Sequence, residues 1–149
     1  MTLNELESIL AEALRIAGAS PCSFSSEGSA EADMKGLTIG FQHDERGQRL
    51  CLYCSLGRLP SSPSPTLCEF LLEANLLGSE TGGGHIGLYA PSRILLFSLW
   101  LDTDGLDGAR LSNALMRFTE KASVLIASTA DHLATPSENL SLMMNVIWG

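Results

Sequence analysis

The sequence predicts an α+β domain of order α-β-β-β-α-β-β-α, with helices packed on a twisted antiparallel sheet. Three observations predict it. Apolar residues recur at helical spacing near both ends, while they alternate with polar ones over 37–56 and run nearly unbroken over 94–101. A proline–serine linker at 57–65 can only be loop and delivers the chain to a middle helix, and a glycine hinge at 81–84 follows that helix. With 149 residues, 45% hydrophobic and 17% charged, the chain can bury one core.

In the first helix Leu3, Leu6, Ile9, Leu10, Ala13, Leu14 and Ala17 make one stripe, and Glu5, Glu12 and Arg15 lie on its outer side. Gly18 stops it and Pro21 reinforces the stop. Residues 21–26 hold a short strand around Phe24, and the polar, glycine-bearing 27–36 reads as a loop. Leu37, Ile39 and Phe41 alternate with Thr38, Gly40 and Gln42, and Leu50, Leu52, Cys54 and Leu56 alternate with Cys51, Tyr53 and Ser55. The charged turn between them, 43–48, makes these two strands a hairpin.

Thr66 and Glu69 stand three apart before an apolar run, so a capping box starts the second helix at about Leu67, with Gly78 as its stop. That helix is apolar on more than one side: Leu67, Phe70, Leu71, Ala74 and Leu77 share a face, and Leu72 and Leu76 lie off it. The strand from Ile94 is apolar on both faces, with Leu95, Phe97, Leu99 and Leu101 on one and Ile94, Leu96 and Trp100 on the other. A strand of that kind is covered on both faces, and in a chain this short a second copy is the natural cover. Leu72, Leu76, Leu96, Phe97, Ser98 and Trp100 are the expected homodimer seam. Asp102, Asp104 and Asp107 crowd the start of the last helix, whose apolar stripe is Leu111, Leu115, Phe118, Ala122, Leu125 and Ile126 and which ends at about Ser128. Domain 1–128 is thus followed by a tail, 129–149, that reads either as a flexible arm or as a short helix laid on an apolar groove.

Little chemistry is visible. Formal charge −8, with nine Lys and Arg scattered, argues against nucleic acid and anionic membrane as partners. No apolar run approaches the roughly 20 residues of a membrane span, and the start lacks a basic region, so a cytoplasmic location with free thiols at Cys22, Cys51, Cys54 and Cys68 is expected. Cys51 and Cys54 spell CxxC, but inside a strand positions three apart point to opposite faces. Gly82, Gly83 and Gly84 before His85 lack the Lys–Ser/Thr of a phosphate loop and read as a hinge. The aspartates fail the EF-hand pattern, since Asn113 stands where the bidentate Glu belongs. His43 and His132 lie in polar stretches without a Ser–His–Asp signal. No enzyme, cofactor or metal is expected.

Leu72, Asn75 and Leu76, the TGGG hinge at 81–84, the apolar strand from Ile94, the helix start at Leu106 and Asp107 and the long last helix, in this order, resemble the type III secretion chaperones of the Tir chaperone family. The resemblance spans most of the chain and leaves out the tail. It implies a small acidic homodimer of the bacterial cytoplasm, associated with virulence. Such a protein uses no nucleotide and keeps the N-terminal segment of a secreted effector extended and export-competent. It further implies client contacts from the first helix and first three strands, here Phe24, Leu37, Ile39, Phe41, Leu52 and Tyr53. Two other readings remain: a small-molecule-binding or enzymatic domain using His85 and the glycine loop, and a regulatory adaptor for a folded partner.

Overall fold

The computed structural model describes residues 1–78 and 80–133. The order is α1 (Leu3–Ala17), β1 (Ser29–Met34), β2 (Leu37–Asp44), β3 (Arg49–Arg58), α2 (Pro65–Asn75), β4 (His85–Tyr89), β5 (Ile94–Asp102) and α3 (Gly108–Thr129), with a 3-10 turn at Leu76–Gly78. The expected α+β order is observed. The five strands form one antiparallel sheet in the order β1-β2-β3-β5-β4.

Each helix carries its own start and stop. Thr2 caps α1 through a capping box with Glu5, and Gly18 closes it in the left-handed conformation. The Thr2 hydrogen bonds hold the Glu5 carboxyl below the usual carboxylate range. Asp107 caps α3 by accepting from the Arg110 backbone N–H at 2.7 Å. α2 departs from expectation: its cap is Ser64, with Pro65 in the first helical turn, so it begins before Thr66 and ends at Asn75. Proline at this position needs no partner for a missing N–H and presets the helical φ, which outweighs a Thr–Glu spacing.

The first strand also differs. Residues 19–25 are irregular, and the edge strand is Ser29–Met34 inside the segment expected to be loop. Ala30, Ala32 and Met34 face inward while Glu31 and Asp33 face out, a period-two pattern built from weak strand formers and held by pairing with β2.

α1 and α3 pack on each other, and α3 lies on β2 and β3, so both helices cover one sheet face. Between the layers lie Leu6, Leu10 and Leu14 of α1, Ile39, Phe41, Leu50 and Leu52 of the sheet, and Leu111, Leu115 and Phe118 of α3. α2 lies against β4 instead. The expected domain boundary after 128 falls in the last turn of α3, and of the tail only residues up to 133 are described.

Candidate functional site

The strand registers sort the expected contact residues by face. Phe41 pairs with Leu52, and Phe97 pairs with Cys54, so these side chains share the helix-covered side of the sheet. Ile39, Phe41 and Leu52 are fully buried there, beneath α1 and α3. They were expected to meet a client; the structure makes them the floor of the core, because alternation tells which residues share a face and not which face the helices take. Phe97, expected in the seam, is likewise core: its ring stacks on Phe118 at 4.6 Å between centroids. Phe24 and Leu37 are half-buried at the margin of that core, with the Phe24 N–H donating to the Glu7 carboxylate at 3.4 Å.

The opposite face holds a second, smaller cluster. Cys51, Tyr53 and Ile94 are buried in it, with Tyr89, Leu96 and Trp100 partly buried around them. Tyr53, the other expected client contact, fits because its cross-strand partner is Gly40, where a Cβ would overlap the phenol ring. The Arg49 guanidinium lies 4.5 Å from the Trp100 ring centroid and pairs with Asp44 at 2.9 Å. That bond, with the Gly47 N–H, holds the Asp44 carboxyl below its ordinary range. Leu96, Ser98 and Trp100 alternate along this face and are half-buried.

Two more expected seam residues sit on α2 and the turn after it. Leu72 and Leu76 are 73% and 63% exposed, and Leu77, which the sequence placed on the helix's inner stripe, is 96% exposed. Leu77 also has φ of 55°, a left-handed conformation that leucine rarely adopts. The turn that swings it outward follows from α2 ending at Asn75. The Asn75 side chain leaves the helix end to bond both backbone groups of Ile86, accepting from its N–H at 2.8 Å and donating to its C=O at 3.0 Å. Asn75 thereby satisfies both outward-facing Ile86 groups on the open edge of β4, a role visible only once the strand is placed beside the helix.

The candidate chemical groups do not assemble. Cys51 and Cys54 point to opposite faces, and burial pushes their thiols up to about 12 and about 11, far from a reactive thiolate. Residues 80–84 turn back on the end of α2, with Gly83 N–H donating to Gly78 C=O and Gly84 N–H to Thr81 C=O, and they lead into a strand. His85 is exposed at the start of that strand. Among the described residues no three His, Cys, Asp or Glu gather as a metal site, and no helix is long and apolar enough to cross a membrane.

Comparison with known proteins adds the family context. The profile of the Tir chaperone protein (CesT) family matches residues 5–125. No curated relative matches the sequence. Among solved structures, the chain is similar to one in the ExsC–ExsE complex, with a TM-score of 0.69 at 14% identity over 84% of this chain and 93% of that one. It is also similar to one in the HopA1–SchA chaperone–effector complex, with a TM-score of 0.62 at 18% identity over 86% and 96%. A third is the Yersinia pestis type III secretion chaperone SycH in complex with a stable fragment of YscM2, with a TM-score of 0.61 at 18% identity over 80% and 98%.

Proposed function

The chain belongs to the Tir chaperone protein (CesT) family, and from that premise we propose that it is a non-enzymatic type III secretion chaperone that binds a secreted effector. The family match across 5–125 carries this reading. The mechanism is stoichiometric. An extended client segment gives up conformational freedom on binding, so its affinity must come from a long wrapped surface and not from one deep pocket. We further infer a cytoplasmic homodimer, a client segment from the effector's N-terminal region, and a core domain that ends near the last turn of α3.

Support for the dimer comes from apolar side chains the monomer leaves uncovered. Leu72, Leu76 and Leu77 stand in solvent, and Leu96 and Trp100 are only half covered on the helix-free sheet face. Buried seams favour such residues. Client contact falls to Phe24 and Leu37, the two expected positions that stay partly accessible. β1 supplies a sheet edge to which an extended segment can add, since it pairs with β2 alone.

The test is co-expression with a candidate effector, followed by light scattering and limited proteolysis. Two copies of this chain per effector, with an N-terminal effector segment protected from protease, is the expected result. A monomer that leaves the effector fully digestible would overturn the reading. Within such a complex, Phe24→Asp and Leu37→Asp should each weaken effector capture about tenfold or more while leaving the dimer mass unchanged.

A further inference from the structure

A cleft of about 240 Å³ lies between the C-terminal half of β5, the turn at 80–84 and α3. Its apolar part is Leu99, Leu101 and Phe118, and its polar part is Thr81, Arg117 and Lys121. The volume is below the usual range for a drug-sized ligand and suits one side chain.

Three features point to what that side chain carries. Arg117 and Lys121 are one helical turn apart on α3, where like charges repel. Neither forms an ion pair among the described residues, and no acidic group lines the cleft; Glu120 lies between them in sequence but outside it. In a chain of charge −8 with only nine Lys and Arg, two uncompensated cations at one opening are unusual. Thr81 is 2% exposed, and its hydroxyl has no hydrogen-bond partner among the described residues. A buried, unpaired hydroxyl is costly unless something fills it.

The fourth feature sets the shape of the occupant. β4 pairs with β5 only as far as Ser98, whereas β3 continues along β5 to Asp102. From Leu99 to Asp102, β5 therefore has a strand neighbour on one side only. Leu99 and Leu101 lie on both that stretch and the cleft wall.

We propose that this cleft receives a Glu or Asp side chain from an extended peptide laid along the free part of β5, with Arg117 and Lys121 taking the carboxylate and Leu99 and Leu101 the flanking apolar groups. The inference rests on the chaperone reading in one respect: the peptide is a stretch of the bound client. The cleft selects an acidic residue next to apolar ones, a sequence preference that apolar grooves alone do not provide.

The probe is a pair of blocked synthetic peptides, acetyl-Ser-Leu-Glu-Leu-Thr-amide and its Glu→Gln counterpart, titrated into the full chain with backbone amide shifts as readout. The Glu peptide should perturb Gly82, Gly84 and Lys121 and bind about tenfold tighter than the Gln peptide, a difference that fades with added salt. The double variant R117E/K121E should erase the preference, while R117K should keep most of it. Equal binding of the two peptides, or perturbation of the same amides by sodium acetate to the same extent, would overturn the proposal, the latter assigning the cleft to any small carboxylate. Peptide selectivity in a chain that fails to protect an effector would remove the chaperone reading and leave the cleft; effector protection unaffected by R117E/K121E, with no peptide selectivity, would do the reverse.

Discussion

Asn75 does for β4 what a neighbouring strand would do, supplying one acceptor and one donor to Ile86 from a single amide. Asn75→Ala leaves both Ile86 backbone groups half-buried and unpaired, with an expected loss of about 1–3 kcal/mol in urea denaturation. Asn75→Asp keeps the acceptor but sets a carboxylate oxygen against the Ile86 carbonyl, so it should be at least as damaging at neutral pH and milder in acid. If both variants unfold at the wild-type midpoint, the edge is satisfied by water and the bridge is dispensable. His43 supplies a different dependence. Burial lowers its imidazole below the ordinary value of 6.5. Above that value both folded and unfolded chains carry it neutral and the fold is fully stable with respect to this group. As pH falls through 6.5 the unfolded chain takes up a proton that the folded one resists, so stability drops until the folded value is passed. His43→Gln should flatten the change in midpoint between about pH 7.5 and about pH 5.5; the depressed carboxylates at Glu5 and Asp44 act only at lower pH. Neither role could be seen in the sequence. Asn75 stands out there only as part of a resemblance, because its partner lies eleven positions away on an element whose placement the sequence leaves open.

At the scale of elements, alternation revealed β2, β3 and β5 but not which of their faces lies under helices. Ile39, Phe41 and Leu52 went to the covered side, and Tyr53 was buried on the other by its register opposite Gly40. Register is a property of two strands together, so no single-strand pattern shows that Gly40 makes room for a ring. Gly40→Ala should therefore cost about 1–3 kcal/mol by overpacking, and Gly40→Val more. In a double-mutant cycle with Tyr53→Leu, the penalty of Gly40→Ala should shrink by about 1 kcal/mol or more; strict additivity would show that Tyr53 does not set the demand for glycine. β1 was hidden for another reason. Its inward residues are Ala30, Ala32 and Met34, which carry little strand preference, and its outward acids look like loop. Ser64 followed by Pro65 was a legible helix start, but the linker's proline–serine composition masked it.

For the whole molecule the informative residue is Leu77. A left-handed leucine costs about 1–2 kcal/mol relative to an ordinary conformation, and here the side chain so placed is 96% exposed. Within one copy of the chain the turn lets Asn75 reach Ile86, but the leucine side chain itself gains no burial from it. The strain becomes intelligible in the proposed homodimer, where Leu72, Leu76 and Leu77 would all be covered. Leu77→Gly separates the two situations, because glycine adopts the left-handed conformation freely while removing the apolar group. In dilute solution, where monomers dominate, Leu77→Gly should match or exceed the wild type in stability. At higher concentration the wild type should gain in melting temperature with concentration, as an associating protein does, and Leu77→Gly should gain less. Leu76→Asp, with no backbone strain to relieve, should lose the concentration dependence and leave the dilute-solution melt unchanged. A wild-type melting temperature that does not move over a hundredfold range of concentration spanning the micromolar region, together with a monomer mass by light scattering, would remove the seam from α2. The outward turn of Leu77 would then have to be explained by contact with the client itself, which the same variant would report as weakened effector protection in an otherwise intact chain.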